Sequence, residues 1–341
     1  MDQLPVPLKR KIRRWPVCVR VFIYSGLILT SILTIPKLFQ TNVQVPEDVY
    51  NVDVFLETKA RHSVSRSPIN CRNESALFLF IAVPSHAANF EQRFAIRYSW
   101  GSVAKSDPGL KLAFFVGISE DRRINDVLSK EKEIYNDIIE VKIEDKYEML
   151  AKKSISIIEW IHNNCNHAKY YLKIDDDMFL NIRNLIDDLQ LRQRTNSIIG
   201  CKVKDTSPFR FPFSKWYLSR DQYSADTFPD YISGPAYVIT GDILSKLYFA
   251  TKSVKYIFLE DVFINGICRR YIDAEAEGHP GFSCGYRDQG PCGTHFKNKI
   301  TGHHYYPKEI ERMWNELNDK RFICPLKHSY WISRIVDFFH L

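Results

Sequence analysis

No internal repeat and no low-complexity tract interrupts these 341 residues, and little excess charge remains once the first twenty are set aside. Of 47 Lys and Arg and 40 Asp and Glu, six bases and one acid fall within residues 1–20, leaving 41 against 39. The formal charge of +7 is thus mostly a short basic head, which argues against a nucleic-acid-binding surface. Zinc spacing is also missing: Cys284, Cys292, His295, His303 and His304 match no standard finger or ribbon. Charge is absent altogether from Val21 to Ile35, fifteen residues that follow the basic head.

Taken back to Val17, with Arg20 snorkelling toward the headgroups, that run reaches nineteen residues, enough for a thin bilayer at about 1.5 Å per residue. Positive charge upstream places the N-terminus in the cytosol and the bulk of the chain in the lumen. No convincing small-x-small cleavage site follows, so a signal anchor is preferred to a cleaved signal peptide. The expected organisation is a cytosolic tail (1–16), a transmembrane anchor (17–36), a polar, Pro-containing stem (37–75) and a lumenal domain (76–341). Asn73-Glu74-Ser75 is the single glycosylation sequon, at the entrance to that domain. Eight cysteines include Cys18 in the anchor and seven beyond it. In an oxidising lumen most should pair. The odd count leaves one free or bridging two chains, which would allow a homodimer.

From Leu77 the chain alternates apolar runs with amphipathic segments. Leu77–Val83, Leu112–Gly117, Ile138–Ile143 and the run around Leu172 read as strands. Phe90–Trp100 and Tyr147–His162 read as helices. The alternation predicts an α/β domain with a largely parallel sheet, whose ligands gather at the strand carboxyl ends. The second half is less regular. A turn at Ser233-Gly234-Pro235 precedes a strand-like run to Thr240, and helical patterns cover Asp242–Ala250, Glu260–Arg270 and Lys308–Leu317.

At one strand end stand three consecutive carboxylates, Asp175-Asp176-Asp177. Adjacent like charges beside a core strand repel and are costly to desolvate, so a cation is expected there. A hard divalent ion with oxygen ligands, Mn²⁺ or Mg²⁺, fits best, with a phosphorylated ligand completing its shell.

Several blocks in order carry a resemblance: Arg93-Phe94-Ala95-Ile96-Arg97-Tyr98-Ser99-Trp100-Gly101, Phe114–Gly117, Asp145–Leu150, Lys173–Asp177, Ser214–Tyr217, Tyr231–Tyr237, Glu260-Asp261-Val262, and His303 through Asn315. Together they resemble the β-1,3-galactosyltransferase-type enzymes of glycosyltransferase family 31. Ile232 departs from the Cys common there. The resemblance implies a GT-A-like fold and an inverting transfer of a hexose from a UDP-sugar to a glycan acceptor on protein or lipid, at the Golgi membrane. Galactose is the favoured donor sugar, with N-acetylglucosamine or N-acetylgalactosamine as alternatives. It further implies Asp177 and His303 as metal ligands (His304 competing for the second place) and Asp175 and Asp176 beside the donor. Arg93 and Arg97 are implied near the nucleotide, Lys215, Trp216 and Tyr217 near the acceptor, and Asp261 as general base with Glu260 second. The rival reading is an inactive relative acting as a chaperone or lectin-like partner. Such a protein would be expected to lack the metal carboxylates or the base, and Asp175, Asp177, Asp261 and His303 are all present.

Overall fold

The computed structural model describes Ile69, Cys71 and residues 77–287 and 292–324. The anchor, most of the stem and the sequon at Asn73 lie outside the described residues. Among those described, no helix is long and apolar enough to cross a membrane.

Seven strands form one sheet in the order β3-β2-β1-β4-β7-β6-β8. They are β1 (Leu79–Ser85), β2 (Leu110–Ile118), β3 (Ile138–Glu144), β4 (Tyr170–Ile174), β6 (Ser197–Val203), β7 (Tyr231–Thr240) and β8 (Glu275–Gly278). Only β7 runs against the rest, pairing antiparallel with both β4 and β6. A two-stranded ladder joins β5 (Phe179–Leu180) to β9 (Thr301–Gly302). The mixed α/β architecture with a mostly parallel sheet matches the sequence expectation. β1 and β4 are buried along their whole length, which is why they read as unbroken apolar runs.

Helices α1 (Phe90–Tyr98), α2 (Arg122–Tyr135), α3 (Leu150–Asn164), α4 (Ile182–Arg192), α5 (Leu244–Ser253) and α6 (Pro307–Asn318) flank the sheets. On α3, Ile157, Ile158 and Ile161 recur at helical spacing and join the core with Phe80, Phe115 and Tyr171. The helix expected from Glu260 is a π-helix, Val262–Cys268, and its wider turn begins immediately after the Glu260-Asp261 pair.

Three disulfides close the fold: Cys71–Cys165, Cys201–Cys284 and Cys292–Cys324. Among the described residues the unpaired thiol is Cys268, fully buried and pushed up by that burial to about 12. An interchain bridge through it would require opening the core, so the free cysteine does not support a covalent homodimer. Ile232, also fully buried, packs in the core instead of a bridge.

Candidate active site

The Asp triplet follows β4 in a tight turn, with the Met178 N–H donating to the Asp175 carbonyl (3.3 Å). The Trp100 indole N–H donates to the Met178 carbonyl (3.1 Å) and fixes that turn from behind. The short β5–β9 ladder then decides what faces it. Phe179 pairs with Gly302, so Asp177, two residues upstream, meets His303, one residue downstream. His303 Nε2 lies 3.2 Å from Asp177 Oδ1, and His304 Nδ1 lies 3.2 Å from Asp177 Oδ2. One ligand atom from each of the three falls within 4.8 Å of the others. The two imidazoles stack with centroids 3.6 Å apart; His303 is buried and His304 exposed.

Burial pushes the Asp177 carboxyl up, but hydrogen bonds and positive charge from His303 and His304 outweigh it and hold the group below the usual range. Burial lowers His303, and the Asp177 hydrogen bond and charge more than reverse that. The His303 Nδ1 donates to the Gly285 carbonyl (3.1 Å), since a carbonyl can only accept. A carboxylate with one imidazole oriented by a backbone carbonyl is a donor set that fits a divalent cation.

On the other side, β7 runs antiparallel to β4 and the Asp175 N–H donates to the Pro235 carbonyl (2.9 Å). The neighbouring Gly234 leaves room for the acid pair: a Cβ there would stand 2.9 Å from Glu260 Oε2. The Lys173 ammonium, buried, donates to Asp175 Oδ1 (2.6 Å) and to the Gly234 carbonyl (2.7 Å). Burial lowers Lys173, yet the charges of Asp175 and Glu260 raise it overall. Glu260 is itself buried and accepts the Tyr237 hydroxyl (2.8 Å). Asp261 is only partly covered and accepts the Val262 N–H (2.8 Å). Burial raises both carboxyls. Of the two, Asp261 is the more exposed; Glu260 is held by the Tyr237 hydroxyl.

Arg93 and Arg97 do not face this space. Arg93 is fully buried, with its guanidinium divided among Glu131, Ser85 Oγ and the carbonyls of His86 and Ala87. Arg97 bonds Glu131 (2.6 Å) and Asp137 (2.7 Å). The expectation that they contact the nucleotide is corrected to a scaffold role, because their donors are already engaged inside the protein. Asp176 likewise turns inward, accepting from Ser85 Oγ (2.6 Å) and Asn89 Nδ2 (2.9 Å). Both bonds fall on Oδ2 of this half-buried carboxylate and anchor the turn.

The family described as galactosyltransferase matches residues 91–279, more than half of the chain. Human beta-1,3-galactosyltransferase 5 is 32% identical over 257 residues, spanning 74% of this chain and 82% of that protein. Mouse beta-1,3-galactosyltransferase 1 is 30% identical over 251 residues, spanning 72% and 76%.

The chain belongs to the galactosyltransferase family. A glycosyltransferase with a sugar donor and a glycan acceptor is what that membership supports. Among solved structures, a 4-diphosphocytidyl-2C-methyl-D-erythritol synthase from Anaerococcus prevotii covers 59% of this chain at 13% identity and a TM-score of 0.34, too slight a likeness to argue from. The family match takes in the Asp triplet and Glu260-Asp261 but stops short of His303 and His304, which the β5–β9 ladder and the Tyr305 N–H bond to the Asp177 carbonyl (3.0 Å) bring to Asp177.

Lys215 and Trp216 are exposed and Tyr217 is half-buried. The Trp216 indole donates to the Tyr147 hydroxyl (2.9 Å), and the Lys215 ammonium lies over the Trp216 and Tyr147 rings (4.7 and 5.3 Å). Burial raises the Tyr147 hydroxyl on this aromatic ledge, the Trp216 hydrogen bond partly offsets it, and the charges of Asp261 and Glu260 add to the rise. Tyr147, Lys173 and Ser85 bond the expected site residues Trp216, Asp175 and Asp176, contacts that residue patterns alone did not indicate. Asp145 is a further one: it accepts the Ala87 and Gly117 N–H groups (both 3.1 Å) and pairs with Lys153, locking together the carboxyl ends of β1 and β2.

Proposed function

We propose that the chain is an inverting β-1,3-galactosyltransferase that moves galactose from UDP-galactose to a glycan hydroxyl, anchored in the Golgi membrane by residues 17–36 with its catalytic domain in the lumen. The observation that carries this reading is the meeting of Asp177 and His303 beside Asp175, Lys173 and Asp261 at the strand carboxyl ends. The sheet order makes β1 and β4 a topological switch point, where the ends of adjacent strands open a crevice for a nucleotide. Galactose is favoured as donor sugar by the names of the relatives.

Asp177 and His303 would hold Mn²⁺, for which one carboxylate with an imidazole is better suited than for Mg²⁺. When bound, the ion supplies neutralisation of the departing diphosphate. Asp261 takes the proton of the attacking acceptor hydroxyl as the new C–O bond forms at the anomeric carbon, while the bond to UDP breaks and its electron pair leaves with the diphosphate. The raised pKa of Asp261 suits a base that must accept a proton. Lys173 opposes the upward push of burial on Asp175 and holds its carboxyl in place beside the donor. Trp216 and Tyr147 offer ring faces on which an acceptor sugar stacks.

UDP release by the purified chain, measured with each UDP-sugar and an acceptor panel in Mn²⁺ and in chelator, tests the reading. Metal-dependent turnover of UDP-galactose supports it. Turnover of another UDP-sugar would replace the donor, and a folded preparation that binds no UDP-sugar would move the function to a partner or chaperone role.

A further inference from the structure

The segment that follows β8 straps across both histidines. The His279 N–H donates to the Gly200 carbonyl (2.8 Å) at the end of the β6–β8 ladder, and the Ser283 N–H donates to Thr301 Oγ1 (2.9 Å) on β9. Cys284 is bonded to Cys201 on β6, with Cα atoms 5.2 Å apart. The next residue, Gly285, has φ +92°, a conformation that L side chains rarely adopt, and its carbonyl receives the His303 Nδ1–H. Farther on, the Arg287 guanidinium donates to the His304 carbonyl and to Glu309 Oε1 (2.6 Å), and lies over the Tyr305 ring.

We propose that the Cys201–Cys284 bridge is a positioning device for the metal site: it holds the Gly285 carbonyl where it fixes the His303 ring and leaves Nε2 facing Asp177. The inference rests on the assignment of Asp177 and His303 as cation ligands. Its logic is geometric. An imidazole has two usable nitrogens, and which one can ligate is set by what the other donates to. With Nδ1–H committed to Gly285, Nε2 is the nitrogen left on the Asp177 side, and it can ligate once its own proton is displaced. The carbonyl belongs to the residue after Cys284, so its direction is set by a φ that only glycine adopts cheaply and by a crosslink to the sheet. The strap beyond residue 279 lies past the segment matched by the family.

Mn²⁺ titration of the full chain, followed by the EPR signal of free Mn²⁺ without donor or acceptor, reads the effect independently of activity. Cys201→Ser/Cys284→Ser is expected to weaken Mn²⁺ binding roughly 10- to 100-fold, the range seen when an outer partner of a metal ligand is lost. At a pH where His303 is neutral, nitrogen-15 spectra of the histidines should show it leaving the single Nδ1–H tautomer. Cys292→Ser/Cys324→Ser serves as the control for loss of a bridge elsewhere and should keep both readouts. Gly285→Ala leaves the bridge intact but disfavours φ +92°, so it should weaken Mn²⁺ binding in the same direction; it decides the matter if the double variant does not fold. Unchanged affinity and tautomer in a folded strap variant would overturn the positioning role while leaving the ligand assignment standing. A parent chain that does not bind Mn²⁺ overturns the ligand assignment itself, and the inference with it.

Discussion

The Ser85 hydroxyl donates to Asp176 Oδ2 at 2.6 Å while accepting from the Arg93 guanidinium at 3.1 Å, so the middle carboxylate of the triplet is tied through one hydroxyl to a buried ion cluster on α1 and α2. Three adjacent carboxylates can occupy a tight turn because each has its own cationic or hydrogen-bonding partner. Asp175 has Lys173, Asp176 has Ser85 and Asn89, and Asp177 has the two histidines.

Arg93→Ala should therefore act on stability before it acts on donor affinity. It leaves the Glu131 carboxylate, 1% exposed, with Arg97 as its remaining cation. Breaking a buried pair from one side costs about 3–5 kcal/mol, and the surviving Arg97 contact should keep the loss near the lower end. Urea unfolding measures it. A loss under about 1 kcal/mol together with a large rise in the KM for UDP-sugar would return Arg93 to a direct donor role.

The pair Asp177 and His303 predicts opposite pH slopes with and without metal. Asp177 has its folded pKa below the ordinary 3.8, so its stabilisation is present above that value and is lost as pH falls through the folded pKa. His303 has its folded pKa above 6.5, so its stabilisation is complete below 6.5 and is lost as pH rises through the folded pKa. Without metal, the pair stabilises most between about pH 4 and 6.5. Mn²⁺ must displace the proton on Nε2, so its effect grows as pH rises. Melting curves at several pH values between about 6 and 8, with chelator and with Mn²⁺, should show Tm falling in the first series and the Mn²⁺ increment rising in the second. His303→Ala should flatten both slopes.

How much of this was legible in the residues depends on how local the cause is. β1 was visible because a buried parallel strand is an unbroken apolar run. Its extension to Pro84 and Ser85 was not, because Pro interrupts the pattern; pairing with β4 covers only Leu79–Ala82, so Pro84 costs no bond on that side. β8, Glu275–Gly278, alternates its glutamates with only the small Ala276 and Gly278, too slight an apolar face to read as a strand, and it pairs along the edge of β6. Arg93 and Arg97 were placed near the nucleotide by resemblance, and Glu131 on α2, a separate helix, lies between them in the structure. Asp177 could be selected from three carboxylates only by resemblance. Its partner His303 stands more than a hundred residues away, joined through a ladder too short to leave a sequence signal.

Asp261→Asn and Glu260→Gln should separate, although both carboxyls are raised by burial. An amide at position 261 cannot take a proton, so kcat should fall about 10²- to 10⁴-fold with Mn²⁺ and UDP-sugar binding intact. Glu260→Gln retains an acceptor for the Tyr237 hydroxyl and should cost kcat less than about tenfold. Single-turnover rates at saturating donor make the comparison; an equal collapse in both variants would move the base to Glu260.

The aromatic ledge gives the last separation, between acceptor and donor. Trp216 is 40% and Tyr147 45% exposed, an expensive arrangement for two rings unless something covers them during turnover. They are joined by one hydrogen bond and offer an acceptor sugar one continuous face. Ring stacking contributes about 0.5–1.5 kcal/mol beyond area. Trp216→Ala should therefore raise acceptor KM roughly 2- to 10-fold, leaving donor KM and Mn²⁺ affinity unchanged. Tyr147→Phe keeps the ring and loses only the acceptor of the Trp216 indole, so its effect should be smaller and in the same direction. Initial rates across an acceptor series at saturating UDP-sugar measure both. If Trp216→Ala instead raised donor KM and left the acceptor untouched, the ledge would belong to the nucleotide side of the site and the acceptor would have to approach Asp261 from elsewhere.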